Sequence, residues 1–264
     1  MPRRIVVTSG KGGVGKTTVV ANLGFRLALL GFKVVIVDSD LGLNNLDVVM
    51  GIENKVVYDI VDVIEGRCAA RRALIEIEDC PNLYIMPSAH SYDKSYVTGQ
   101  NLRVVTERLS ETFDYVLVDC PAGIERGFHR AVSAVTEAII VTTPDISSVK
   151  DASKVVKMLG AYDMKIAGLV INKVRGDLIM SGDMMNVDEI VALLGVNPIG
   201  ILPDDDVVGI HSAVGLPITS GSGIFDAFAI LGQNLHFGEN LNYDCTKRYR
   251  GVFGKFRRDI KRRV

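Results

Sequence analysis

Ile5-Val6-Val7-Thr8-Ser9-Gly10-Lys11-Gly12-Gly13-Val14-Gly15-Lys16-Thr17-Thr18 decides how this chain is read. An apolar run ends in a loop of the form G-x-x-x-x-G-K-[ST]. A helical stretch from Lys16 to about Leu30 follows, with Gly31 as a natural stop. Strand, glycine loop and helix in that order make a phosphate-binding loop. Its glycines let backbone N–H groups turn inward around phosphate oxygens, where a Cβ would obstruct them. The candidate phosphate contacts are Gly10, Lys11, Gly12, Gly13, Val14, Gly15, Lys16, Thr17 and Thr18, aided by the positive end of the helix dipole. Lys16 is expected on the β- and γ-phosphates and the Thr17 hydroxyl on Mg²⁺. A loop of this type needs one lysine, and Lys11 is a second.

Outward from the loop, short β-branched runs alternate with helical stretches, the βαβ pattern of a mostly parallel sheet covered on both faces. Strands are expected at 4–8, 34–37, 83–86, 115–118, 138–142, 166–171 and 198–202. Helices are expected at 16–30, 100–111, 127–134, 147–159, 187–194 and 224–237. The fold class is α/β, one P-loop NTPase domain over residues 1–237. A polar connector at 238–246 and an amphipathic segment at 247–264 follow.

Polar residues close these strands. Asp38 follows the second, Asp119 the fourth, Asn172 the sixth and Pro203-Asp204 the seventh. Ligands of open parallel sheets sit beyond the carboxyl ends of the strands, so these residues converge on one crevice. Tyr115-Val116-Leu117-Val118-Asp119 is an apolar strand ending in a carboxylate, the anionic anchor that a hydrated Mg²⁺ needs. Asp38 and Asp40 are two apart, so in extended chain they face the same way. Asn172 offers a donor and an acceptor to a nucleobase, with Pro203 and Asp204 packing on it and accepting from its amino group. Asn172-Lys173-Val174-Arg175 lacks the Asp of the guanine-reading N-K-x-D, which favours adenine.

A chain of 264 residues with 48% apolar and 23% charged residues reads as a folded protein of one core rather than a disordered one. Its longest apolar runs fall short of the roughly 18–20 residues a bilayer span needs. The loop at Gly10 leaves no expected room for a signal peptide. Cys68, Cys80, Cys120 and Cys245 lack metal or redox spacing. The net charge of −1 hides an asymmetry: nine Lys/Arg against one Asp in 247–264 put +8 on the tail and −9 on the rest. Tyr249, Val252, Phe253, Phe256, Ile260 and Val264 recur every three or four residues there. An apolar stripe in a basic surround suits an interfacial membrane helix on anionic lipid, with Val252, Phe253, Phe256 and Ile260 as the inserted residues. A nucleic-acid tail needs the charges but not the stripe, so no specific nucleic acid is expected.

Lys-Gly-Gly-Val-Gly-Lys-Thr-Thr (Lys11–Thr18) resembles the signature of the deviant Walker A ATPases. The resemblance implies an ATPase that dimerises around ATP and Mg²⁺, Lys11 reaching across to the partner's phosphates. It implies that Asp38 lies nearer the metal and that Asp40 orients the attacking water, making Lys11, Lys16 and Asp40 the catalytic set. Thr17, Asp38 and Asp119 form the metal set, with Asn45 and Gly123 as switch residues. Leu41-Gly42-Leu43, Asn45-Leu46-Asp47, Val56-Val57-Tyr58-Asp59, Ser147–Asp151 and Ser181–Met184 resemble segments of the branch that determines the septum site. That branch implies a cytoplasmic protein, peripheral on the inner membrane face when ATP-bound. Its partners are the division inhibitor MinC and either the activator MinE or a topological anchor of the MinJ/DivIVA type. Ser148, Asp151 and Lys154 are expected on the partner face. The alternatives are a flagellar-number ATPase of the same family and a ParA-type DNA partition ATPase.

Overall fold

A strand apolar on both faces must be buried on both, and the alternation within single strands shows how this sheet does it. The computed structural model describes residues 1–42, 45–89, 97–219 and 223–251. In chain order the elements are β1 (Arg3–Thr8), α1 (Lys16–Leu29), β2 (Val34–Asp38), α2 (Asn45–Val49), α3 (Ile60–Ile64) and α4 (Ala70–Ala73). Then come β3 (Ile75–Glu76), β4 (Leu83–Met86), α5 (Gly99–Leu109), β5 (Tyr115–Asp119), α6 (Arg126–Ser133), β6 (Glu137–Thr142) and α7 (Ile146–Ala161). The rest are β7 (Lys165–Val174), α8 (Gly176–Ser181), α9 (Val187–Leu194), β8 (Pro198–Pro203), α10 (Asp206–Ala213) and α11 (Gly223–Phe237). The strands form one sheet of order β3-β4-β2-β5-β1-β6-β7-β8, parallel except for the antiparallel edge β3–β4.

Val6, Val116, Val118 and Ile140 join Leu102, Phe128, Val149 and Val155 in a core on one face, under α5, α6 and α7. Their neighbours Ile5, Val7, Leu117 and Ile139 join Leu23, Leu27, Phe228 and Leu231 on the other, under α1 and α11. The period of two thus feeds two cores from the same strands, each buried Leu or Phe contributing about 1.5–3 kcal/mol.

This order puts β1 between β5 and β6, with β2 beside β5. Asp119 lies opposite Val7 on one side and Asp38 on the other. The phosphate loop and both strand-end carboxylates therefore share one crevice. Among the described residues no helix is long and apolar enough to cross a membrane.

Two expectations change. The strand predicted to stop at Ile171 runs to Val174, which puts Asn172 inside β7 rather than after it. Residues 238–251, read as connector and tail, lie against the body, with a 3₁₀ turn at Lys247–Tyr249. Val252, Phe253, Phe256 and Ile260 lie outside the described residues.

Candidate nucleotide site

The loop from Ser9 to Gly15 is braced from behind. Ser9 Oγ donates to the Lys11 carbonyl at 2.8 Å. Asn172 Nδ2 donates to the Val14 carbonyl at 2.8 Å, and Lys173 Nζ to the Gly13 carbonyl at 2.8 Å. A peptide unit is a rigid plane with C=O and N–H on opposite edges. Pinning these two carbonyls to β7 turns the N–H groups of Val14 and Gly15 the other way, into the crevice. Gly15 closes the loop at φ +92 as the N-cap of α1, a conformation that suits glycine.

Both brace residues come from an irregularity in β7. The register with β8 slips between Ile171 and Val174, and Lys173 has φ +57. Such a bulge re-aims side chains, here toward the loop. One N–H of the Asn172 amide, assigned to a base by sequence, is engaged by the loop, which ties this side chain to the phosphate end of the crevice. Lys173 carried no local signal of its role.

Asp38 and Asp119 face each other across paired strands, both at most 2% exposed. Asp38 Oδ1 accepts the Asp40 N–H at 2.8 Å, while Asp38 Oδ2 and Asp119 Oδ1 have no protein partner. Burial pushes the Asp119 carboxyl up to about 7, against the pull of the Thr17 hydroxyl and the Lys16 ammonium. Burial, reinforced by the charge of Asp119, also raises Asp38, and the Asp40 N–H opposes it. Asp47, wholly buried on α2, adds to the negative field at Asp38 and was missed by sequence. Two open carboxylate oxygens beside a half-buried Thr17 hydroxyl and a buried Lys16 are hard donors at the end of a phosphate cradle. This donor set fits a Mg²⁺ ion that keeps most of its waters.

Lys11 is exposed at the rim, its Nζ 3.5 Å from Ser147 Oγ at the start of α7. Gly10 lies against the same helix, where a Cβ would collide with the Asp151 backbone. Asn45 is exposed at the head of α2, and Gly123 has φ +83 in the loop after β5. Arg130 of α6, also missed by sequence, points Nη2 at the Ser39 carbonyl, 3.4 Å away, behind Asp40.

The expected partner face needs one correction. Ser148 is 3% exposed. Its N–H donates to Asp145 Oδ1 at 2.9 Å and its Oγ accepts from Thr143 Oγ1 at 2.8 Å. It is the first-turn residue that the N-cap Asp145 holds, and it is buried rather than offered outward. Lys154, paired with half-buried Asp151 at 2.8 Å, and Lys150 are exposed.

Pro203 and Asp204 line a cavity of about 370 Å³ at the ends of β7 and β8, where the Asp204 N–H donates to the Val174 carbonyl at 3.0 Å. Asn172 does not line it.

The family model of the CobQ/CobB/MinD/ParA nucleotide binding domain matches residues 5–218. The septum site-determining protein MinD of Bacillus subtilis is 49% identical over 220 residues, covering 83% of this chain and 82% of the relative. The chain belongs to the MinD family. The MinC:MinD cell division protein complex of Aquifex aeolicus matches with a TM-score of 0.83 at 37% identity, over 90% of this chain and 97% of that one. A MinD complexed with Mg-ADP from Pyrococcus horikoshii matches with a TM-score of 0.81 at 31% identity, over 89% and 96%. As a MinD-family member the chain is a P-loop ATPase, and its relatives give it a role in cell division.

Proposed function

We propose that this MinD-family ATPase binds ATP with Mg²⁺, dimerises on it, holds anionic membrane through its C-terminal segment and recruits MinC to position the septum. The observation that carries this reading is the division of labour between two lysines. Lys16 is buried in the cradle, and Lys11 stands exposed at its rim. A cation held at the rim suits the nucleotide of a second subunit better than its own.

Lys16 and the inward N–H groups of the loop would hold the phosphates. Thr17, with Asp38 and Asp119 behind it, would hold Mg²⁺, which neutralises charge on the β- and γ-oxygens. The Asp40 backbone is tied to Asp38 Oδ1, so its carboxylate would be held in register with that site while it orients the attacking water. Lys11 of the second subunit would then offset charge developing on the phosphoryl oxygens, as an arginine finger does. The switch residues Asn45 and Gly123 lie on the segments that follow Asp40 and Asp119. Exposed Lys150 and Lys154 of α7 would meet MinC, and MinE or a MinJ/DivIVA-type anchor.

Size-exclusion chromatography with ATP and Mg²⁺ tests the assignment. Lys16→Ala should lose ATP binding. Lys11→Ala should bind ATP as a monomer and lose turnover. Asp40→Ala should bind ATP and persist as a dimer. A Lys11→Ala protein that dimerises and hydrolyses like the parent would remove the trans role, and a monomeric Asp40→Ala would remove the water-positioning role.

A further inference from the structure

The cavity beyond β7 and β8 has a third wall that neither loop supplies. Tyr243, Cys245, Arg248 and Tyr249, from the segment after α11, complete it. This segment is built in, not draped. A Cβ on Gly176 would land on the Cys245 carbonyl, and one on Gly223 on the Tyr243 hydroxyl. Asn234 of α11 holds Leu241 in both directions, accepting its N–H at 3.0 Å and donating to its carbonyl at 2.7 Å. Asp244 Oδ1 accepts from the Thr246 N–H at 2.9 Å, and Arg250 pairs with Asp244 at 2.9 Å.

The cavity lies where a base would be wanted. Val174, on its wall, is two residues beyond Asn172, whose amide holds the phosphate loop. Asp204 offers an acceptor for an exocyclic amine. Arg175 is fixed by two bonds to Asp177, at 3.1 and 2.6 Å. Tyr249, half-buried, is an aromatic ring on this wall, and it is the first residue of the tail's apolar stripe.

We propose that Tyr249 is a base-binding residue: the adenine of the bound nucleotide packs on its ring, so that the root of the C-terminal tail is part of the nucleotide site. This rests on the reading above, in which the base lies between the loops that follow β7 and β8. It adds a direct contact between nucleotide and tail root, independent of dimerisation.

The full chain contains no tryptophan, so Tyr249→Trp introduces a single indole reporter. ADP should change its emission saturably, over the range in which calorimetry records binding. Inorganic tripolyphosphate, which fills the phosphate loop without a base, should leave the emission unchanged. Tyr249→Ala should weaken ADP roughly ten-fold, the scale of one stacked base, with tripolyphosphate binding unaltered. Tyr249→Phe keeps the ring and should bind ADP like the parent, which separates stacking from misfolding. Emission that ignores bound ADP, or responds equally to tripolyphosphate, overturns the proposal, as does parental ADP affinity in Tyr249→Ala. Asp204→Ala locates the failure. If it loses ADP affinity while Tyr249→Ala does not, the base lies in the cavity without Tyr249. If neither variant changes, the base lies elsewhere and the placement between the two loops fails with it.

Discussion

Lys173 couples a strained backbone to a functional contact, and the two can be separated by substitution. Its φ of +57 costs on the order of 1 kcal/mol for a residue with a Cβ, and its ammonium holds the Gly13 carbonyl. Lys173→Gly removes both. The protein should keep its stability or gain up to ~1 kcal/mol, yet bind ADP several-fold more weakly because the loop loses a brace. Lys173→Ala keeps the strain and should lose affinity without that compensation. Thermal unfolding and calorimetry on the pair check this; equal melting temperatures in the two variants would count against strain at this position. Glu137 shows the opposite case, a charge whose setting stabilises the fold. Burial works against its carboxylate, but Arg3 at 2.7 and 2.9 Å and Lys165 at 3.0 Å outweigh it and hold it below its usual value. A depressed carboxylate stabilises above its unfolded value and loses that contribution as pH falls through its folded one. Glu137→Gln should therefore lower stability near neutrality by about 1.5–3 kcal/mol, the scale of a hydrogen bond to a charged group. It should also flatten the stability profile on the acid side, below about pH 4.5. Urea titrations of parent and variant across that range measure both effects.

At the scale of elements, the contact between the phosphate loop and α7 sets where Lys11 can go. Gly10→Ala would drive a Cβ into the Asp151 backbone and push the helix off the loop. Such overpacking costs about 1–3 kcal/mol, and ADP binding should fall with it. Gly12→Ala is the control, since its Cβ would meet only the Ala122 side chain at an ordinary 3.7 Å. Equal unfolding temperatures for the two variants would dissociate α7 from the loop. The strong periodic elements were legible in sequence: α9 begins and ends where its pattern does, and α1, α5, α6 and α11 shift by at most two residues. The elements α2, α3, α4 and α8 were not, because a helix of four to six residues shows too little of the 3.6 period. Nor was α10, which is as long as α9 but buries none of its residues and so has no apolar face to show. Asn172 was read as following its strand because the bulge beside it breaks the alternation that marks a strand end. Ser148 was read as surface because its burial depends on Thr143 and Asp145, whose bonds to it exist only once α7 packs. Arg130 had no local signal at all, and Asp47 lay in a segment read only by resemblance, which gave it no role. The connector looked like a linker by composition, but Gly176, Gly223 and Asn234, which hold it, are remote or silent in sequence.

The whole molecule is an acidic body of charge −9 joined to a basic tail of +8. An anionic bilayer attracts one part and repels the other, so the body should stand off the surface with its tail beneath it. Each Lys or Arg near such a surface would contribute about 1 kcal/mol, and the interleaved Phe253, Phe256 and Ile260 would supply apolar contact. Gly251 and Gly254 carry low helix propensity, so on the proposed reading a single tail would be a weak and reversible anchor. A dimer carries two tails. The second would bind at an effective concentration near millimolar, so avidity would rise by about 10²–10⁴ without a new contact. Hydrolysis would separate the subunits and return each to marginal binding, making ATP the clock for membrane residence. Phe253→Glu or Phe256→Glu should release the protein from anionic vesicles while leaving ATP binding and dimerisation intact. Vesicle sedimentation with ATP and with ADP, on parent and variants, gives the ratio directly. Equal binding of the parent in the two nucleotides would contradict a switch by valency, even where the tail itself binds. Undiminished sedimentation of Phe256→Glu would instead assign the attachment to charge alone, and it should then vanish at high salt.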